Sequence, residues 1–185
     1  MTLSKALVPS QTLLVRTLMV LGGSLFIALA AQVSVGFPVP MTLQTLAILI
    51  VGLSFGARIG ALTLVAYLGE GAMGLPVFAN GGAGLVYMAG PTAGFLAGFV
   101  LMAWVAGLAA DRGAKGFVSM VLVALGASAL LYVPGLAWPA MVMGKTVPEL
   151  LSGWMLPFLA GDAVKAVIAA LVVAGGWSAL KNRKA

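Results

Sequence analysis

The chain lacks both cysteine and histidine, and charged side chains are scarce among its 185 residues. Without cysteine, disulfide bonds and thiolate metal sites are excluded. Without histidine, the commonest metal ligand and the usual proton acceptor at neutral pH are missing, which counts against most hydrolases that work within a membrane. We therefore predict no catalytic residue, no metal site and no cofactor, and we expect the protein not to be an enzyme.

Charged residues make up only 8% of the sequence, whereas hydrophobic residues make up 62% and the mean hydropathy is +1.16. Soluble domains carry roughly 25% charged residues. The hydrophobic residues also occur in runs long enough to cross a bilayer, where the backbone must satisfy its own hydrogen bonds within helices. The composition predicts an all-α membrane protein, with residues 1–185 forming a single transmembrane domain.

Six hydrophobic runs can be distinguished along the chain. The second and third runs are short, which indicates tilted or irregular helices. The first run has no small-residue cleavage pattern, so we interpret it as a spanning helix and not as a removed signal peptide. The sequence thus predicts six transmembrane helices. The runs cover residues 17–35, 43–55, 59–68, 91–110, 117–133 and 156–180.

The basic residues predict how these helices are oriented. With six spans, eight of the ten lysines and arginines fall on the side that holds both termini. By the positive-inside rule the termini are then cytoplasmic, in a multi-pass protein of the cell membrane. The net charge of +6 reflects this topology, and we predict no nucleic-acid partner. The eight residues are Lys5, Arg16, Arg58, Arg112, Lys115, Lys181, Arg183 and Lys184.

Three segments fall on the outer side, at 36–42, 69–90 and 134–155, and they are rich in glycine and proline but poor in charge. Such apolar segments are expected to fold back onto the mouth of the helix bundle. Two tryptophans in the third segment, Trp138 and Trp154, are most simply explained as anchors at the membrane interface.

Asp162 and Lys165 are the only opposite charges placed together inside an apolar stretch. Three residues apart on a helix, they share one face, about two to three turns from the outer end of the sixth run. Charges at membrane depth are costly and mark substrate or ion pathways. The alternative is an ion pair that only neutralises itself, although a buried pair adds little net stability. We predict that the two residues bind a substrate in a pocket open to the outside.

Asn80 and Tyr87 are further candidates for substrate binding, both in the second outer segment. An asparagine both donates and accepts hydrogen bonds, which suits an amide-like or urea-like ligand. Asn80 precedes Gly81, however, and Asn-Gly is a common turn dipeptide, so a purely structural role is the alternative. Tyr87 can hydrogen-bond a ligand or lie at the membrane interface.

The chain contains no nucleotide-binding loop. The glycine-rich stretches Gly71–Gly74 and Gly81–Gly84 lack the Lys-Ser/Thr pair that such a loop requires. If transport is driven by ATP, another chain must therefore supply the ATPase.

Four motifs occur in order along the chain and together resemble the BioY family, the biotin-binding S components of energy-coupling-factor (ECF) vitamin transporters. The resemblance extends over essentially the whole sequence. The motifs are Val39-Pro-Met-Thr-Leu-Gln-Thr-Leu-Ala47, Gly74-Leu-Pro-Val-Phe78, Gly90-Pro-Thr-Ala-Gly-Phe-Leu96 and Gly161-Asp-Ala-Val-Lys165.

The resemblance implies a six-helix membrane protein that captures biotin from outside, with Asn80, Asp162 and Lys165 at the binding positions. It also implies as partners a transmembrane coupling protein and two cytoplasmic ATPases, which would dock on the small-residue face of the first helix. Small residues spaced four apart, as in Ser24/Ala28, allow close helix packing, within the chain or with another subunit. An S component for another vitamin and a proton-coupled secondary transporter are the alternatives.

Overall fold

The computed structural model describes residues 2–35 and 41–182, and nearly all of these residues are helical. Residues 36–40 of the first outer segment, and the basic residues Arg183 and Lys184, lie outside the described ranges. The helices are α1 (Leu3–Leu7), α2 (Leu13–Gln32), α3 (Gln44–Phe55), α4 (Ala57–Ala72), α5 (Gly84–Met88), α6 (Ala93–Asp111), α7 (Phe117–Met143), α8 (Val147–Leu150) and α9 (Leu156–Asn182).

Three short elements complete the described fold. Strand β1 (Ser34–Val35) pairs antiparallel with β2 (Met41–Thr42), with Ser34 opposite Thr42. A 3-10 turn, Ala79–Gly81, precedes α5, and a π-helical segment, Leu151–Met155, leads into α9.

The prediction of an all-α fold with apolar helices is confirmed. Each of the six hydrophobic runs corresponds to one of the longer helices: α2, α3, α4, α6, α7 and α9. Four helical stretches in the described residues are long and apolar enough to cross a membrane, namely α2, α6, α7 and Val147–Asn182. The second and third runs form the shorter helices α3 and α4, of 12 and 16 residues.

The fifth run does not end where the sequence suggests. The sequence predicts an end at Val133, but α7 continues to Met143 through Pro134 and Pro139, so this boundary is wrong. Prolines are tolerated in such helices when neighbouring helices support the disturbed backbone. Here the Pro134 carbonyl packs so tightly on α6 that a Cβ atom at Gly94 would overlap it. The third outer segment is therefore largely helical.

Helix α6 lies at the centre of the bundle, packed against α3, α4 and α7. Small residues allow this close packing, because a Cβ atom at Gly52 of α3 would lie 2.7 Å from the Ala103 carbonyl oxygen. By contrast, the outer surface of α2 exposes large leucines, as a lipid-facing surface requires. The interior is packed and the exterior is apolar.

The small-residue pair of the first run serves internal packing. Ser24 and Ala28 are 1% and 7% exposed, and Ser24 Oγ donates a 2.7 Å hydrogen bond to Glu70 Oε1 on α4. Ser24 therefore contacts α4, and both residues are buried within the chain and not free to dock another subunit.

Both outer tryptophans contact other parts of the chain, but only Trp154 is too buried to serve as an anchor at the membrane interface. Trp154 is only 5% exposed. Trp138 Nε1 donates to the Gly90 carbonyl oxygen at 3.0 Å, which ties α7 to the turn before α6. Packing explains Trp154, and an anchor role for the half-buried Trp138 stays a prediction.

Candidate substrate-binding site

A cavity of about 610 Å³, including its open mouth, lies among α3, α6, α7 and α9. Its walls combine aromatic and aliphatic side chains with a few polar groups, which is typical of small-molecule sites. The lining residues are Met41, Thr42, Gln44, Thr45, Ala79, Tyr87, Thr92, Phe95, Leu96, Phe99, Leu131, Tyr132, Phe158, Asp162 and Lys165.

The charged pair predicted from the sequence faces this cavity. Asp162 and Lys165 are each 8% exposed, and Lys165 Nζ lies 3.4 Å from Asp162 Oδ1. Their face of α9 continues with the buried alanines Ala166 and Ala169, whose small side chains let α9 pack closely on the bundle. The helix thus holds both charges at the cavity wall.

Two residues from other helices hold the pair in place. Lys165 Nζ donates to Thr45 Oγ1 at 3.1 Å, and the Tyr132 hydroxyl donates to Asp162 Oδ2 at 2.5 Å. An ammonium group has three donors and a carboxylate accepts about four hydrogen bonds. Within the described residues, Lys165 therefore retains a donor and Asp162 retains acceptor capacity for a ligand.

A second polar chain orients Gln44 at the cavity wall. Gln44 Nε2 donates to the Tyr67 hydroxyl at 2.6 Å, and this hydroxyl donates to the Val77 carbonyl oxygen at 2.9 Å. The chain connects α3 and α4 to the loop that follows α4. Among the described residues no donor is bonded to Gln44 Oε1, so this oxygen is available to a ligand.

Aromatic rings form the apolar part of the cavity. Phe95 packs edge-on against Tyr132, with ring centroids 6.2 Å apart. Tyr87 stacks on the fully buried Phe78 at 5.1 Å, and its hydroxyl is 3.5 Å from the Ala79 carbonyl oxygen. Burial raises the pKa of the Tyr87 hydroxyl, so this group remains protonated and can donate a hydrogen bond.

Asn80 is not among the residues that line the cavity. It follows the lining residue Ala79, it is exposed, and its Oδ1 accepts a 2.5 Å hydrogen bond from Ser34 Oγ. Its φ of 57° is left-handed, a conformation that asparagine tolerates better than most residues. The structure brings together Asp162, Lys165 and Tyr87, and places Asn80 beside them. A role for Asn80 in binding stays a prediction.

Gln32, four residues after Ala28 on α2, holds the loop that carries Asn80. Its Nε2 donates to the Phe78 carbonyl oxygen at 3.1 Å, and its Oε1 accepts from the Gly81 N–H at 3.0 Å. One side chain thus fixes both ends of the 3-10 turn next to the cavity.

Several residues of the cavity are not predicted from the sequence. Tyr132, Phe95 and Thr92 do not stand out from their hydrophobic surroundings, and Gln44 and Thr45 resemble ordinary polar residues at a helix start. A usable signal is the rarity of tyrosine. The chain has only three tyrosines, and all three either line the cavity or bond to its wall.

Comparisons with known proteins point to one family. Residues 4–182 match the BioY family. The "Biotin transporter BioY" of Rhizobium etli is 38% identical over 155 residues, which cover 79% of this chain and 82% of that protein. The "Biotin transporter BioY" of Rhodobacter capsulatus is 36% identical over 169 residues, covering 84% of this chain and 89% of that protein.

A solved structure has the same fold. It is the crystal structure of the S-component for biotin from an ECF-type ABC transporter, with a TM-score of 0.75 and coverage of 95% of this chain and 96% of that one. Its sequence is only 23% identical, so the likeness concerns the fold alone.

Proposed function

This chain belongs to the BioY family, and from that premise we propose that it captures biotin as the membrane-embedded S component of an ECF-type vitamin transporter. The relatives described above are named as transporters of biotin, in agreement with the expectation that the chain is not an enzyme. Within the chain, the observation that carries the proposal is the buried Asp162–Lys165 pair at the wall of an otherwise largely apolar cavity.

The chemistry of biotin suits this cavity. Biotin has a urea group with two N–H donors and one carbonyl, an apolar sulfur-containing ring and a carboxylate tail. We place the urea on the charged pair, with its N–H groups donating to Asp162 and its carbonyl accepting from Lys165. The apolar ring then lies among the aromatic side chains of Phe95, Phe99 and Tyr132. A site of this kind rejects analogues that leave its buried polar groups unpaired.

Tyr87 and Asn80 complete the proposed site from the outer side. The Tyr87 hydroxyl is a protonated donor at the cavity wall and is bonded only weakly, at 3.5 Å. Asn80 would contact the ligand after exchanging its hydrogen bond with Ser34 for one with biotin. The ligand would then be covered by the loop that Gln32 holds.

We further propose six spans within a single domain, with both termini in the cytoplasm. Two cavities at opposite ends of the bundle support this orientation. The substrate cavity is lined by residues at the start of α3. The second cavity contains Phe55, at the other end of α3, and its lining includes the basic residues Lys5, Arg16 and Arg58. The positive-inside rule assigns the basic end to the cytoplasm, so the substrate cavity opens to the outside of a bacterial cell.

The proposed partners are a transmembrane coupling protein and two cytoplasmic ATPases. The sequence has no nucleotide-binding loop of its own, so ATP hydrolysis must come from other chains. With Ser24 and Ala28 buried within the chain, a docking surface must use other residues.

Reconstituted uptake tests this function. In lipid vesicles that hold the chain together with coupling protein and ATPases, we expect biotin uptake that requires ATP. The control is the same complex with an ATPase variant unable to hydrolyse ATP. Uptake driven by a proton gradient in vesicles holding this chain alone would favour a secondary transporter. Binding of a different vitamin but not of biotin would contradict the assigned substrate.

A further inference from the structure

A second cavity, of about 470 Å³ including its open mouth, lies at the end of the bundle that carries the basic residues. Its lining includes three basic side chains, Lys5, Arg16 and Arg58, and one acidic side chain, Asp111. The side chain of Gln11 adds a further hydrogen-bonding group. None of the residues that line this cavity is among those proposed to bind biotin.

The three basic residues come from three separate elements. Lys5 belongs to α1, Arg16 to the first turn of α2 and Arg58 to the first turn of α4. The positive-inside rule accounts for basic residues at this end of the bundle. It does not require them to converge, and Arg112 and Lys115, from the same end, do not line the cavity.

Asp111 forms no ion pair with these cations within the described residues. Its Oδ2 accepts a 2.9 Å hydrogen bond from the Ala57 N–H at the start of α4. In the part of the chain that the structure describes, the ion pairs within 4 Å are Lys145–Glu149 and Lys165–Asp162. The cavity therefore has three cationic groups and one carboxylate already engaged with the backbone, which leaves an excess of positive charge.

The surface beside this cavity is apolar. Leu62 and Val65 follow Arg58 by four and seven residues on the same face of α4, and they are 46% and 55% exposed. A molecule seated in the cavity would thus meet cations at one end and an exposed hydrocarbon surface at the other. This combination fits an amphiphilic anion.

We propose that this cavity binds the phosphate-bearing headgroup of an anionic phospholipid, from the leaflet on the side of the termini. Arginines suit the phosphate because their planar guanidinium groups donate paired hydrogen bonds to it. Basic pockets between transmembrane helices are a known form of headgroup site. The acyl chains would lie along the exposed Leu62 and Val65 of α4. Inorganic phosphate would bind the same basic side chains but would not contact these apolar residues.

Native mass spectrometry of the purified full chain tests this site with added phosphatidylglycerol or phosphatidylcholine. We expect the chain to retain phosphatidylglycerol and to lose phosphatidylcholine. In the double variant R16Q/R58Q, the affinity for phosphatidylglycerol should fall by on the order of tenfold or more. The matched control, Arg112→Gln, removes a cation from the same end outside the cavity and should retain the lipid.

Three results would overturn the proposal. They are equal retention of the two lipids, unchanged affinity in the double variant, and an equal loss in Arg112→Gln. A further arm adds inorganic phosphate, which should not displace the lipid, and full displacement would assign the site to a soluble anion. If R16Q/R58Q does not fold, R16K/R58K replaces it. This variant keeps both positive charges but loses the paired hydrogen bonds of the guanidinium groups, so its affinity for phosphatidylglycerol should fall by a smaller factor. None of these results depends on biotin.

Discussion

The Tyr132 hydroxyl of α7 donates a 2.5 Å hydrogen bond to Asp162 Oδ2 of α9. The bond fixes the carboxylate of Asp162 at the cavity wall and leaves its other oxygen to Lys165, 3.4 Å away. Because Asp162 is almost fully buried, the orientation of its carboxylate depends on this contact and on the cation beside it. The site is therefore a small polar network and not an isolated ion pair.

Tyr132→Phe should weaken biotin binding by roughly tenfold, because a hydrogen bond to a charged group contributes about 1.5–3 kcal/mol. The ring and its edge contact with Phe95 would remain, so the fold should not change. Calorimetric titration of purified protein measures the effect.

A double-mutant cycle that combines Tyr132→Phe with Asp162→Asn tests whether the two residues bind biotin as one network or contribute independently. Residues in one hydrogen-bond network couple by about 0.5–3 kcal/mol, so the two losses should not add. Strictly additive losses would show that Tyr132 does not act through Asp162.

Gln32 variants should alter how long biotin stays bound. Gln32→Leu removes the bonds to Phe78 and Gly81, which should free the loop over the cavity and raise the dissociation rate. Gln32→Glu keeps an acceptor for the Gly81 N–H but loses the donor to Phe78, and we expect an intermediate rate. Stopped-flow displacement of labelled biotin measures both, and identical rates in all three proteins would exclude a role for this side chain.

Gly94→Ala should destabilise the protein by about 1–3 kcal/mol, because its methyl group would overlap the Pro134 carbonyl on α7. Gly126→Ala is the matched control. Gly126 lies in a helix, and a methyl group added there would have nothing within 4 Å, so alanine should be neutral or slightly stabilising. Thermal unfolding in detergent compares the two variants. Equal unfolding temperatures would show that the α6–α7 contact is looser than the overlap at Gly94 indicates.

Biotin methyl ester tests which end of the ligand the charged pair holds. The ester lacks the negative charge of the tail but keeps the urea. If Asp162 and Lys165 hold the urea, Lys165→Ala should weaken binding of biotin and of its ester by the same factor. A loss confined to biotin would instead place Lys165 on the carboxylate.

Most of the helices could be predicted from the sequence, because the run of hydrophobic residues is a local property. The end of α7 could not, since Pro134 and Pro139 normally stop a helix and only the packing on Gly94 shows why they do not. The start of the last helix at Leu156 agrees with the predicted run.

Only those residues of the candidate site whose placement in a membrane is energetically costly could be predicted from the sequence. Asp162 and Lys165 stand out because charges are rare in apolar helices. Tyr132 is 30 residues from Asp162 in sequence, and no local sequence feature links it to the carboxylate. Asn80 illustrates the reverse case, since its turn conformation follows from local sequence, whereas its bond to Ser34, 46 residues away, and its position beside the cavity depend on the fold.

Recognition of biotin by the Asp162–Lys165 pair can be measured by calorimetric titration of biotin into the purified chain and into Asp162→Asn and Lys165→Ala. We predict binding to the wild type and a loss of at least about tenfold in each variant, since each leaves a buried polar partner unpaired. Lys145→Ala and Glu149→Gln are the matched controls. They break an exposed ion pair of 3.0 Å away from the cavity and should bind like the wild type. Absence of binding by the wild type, or full affinity in both site variants, would contradict this assignment.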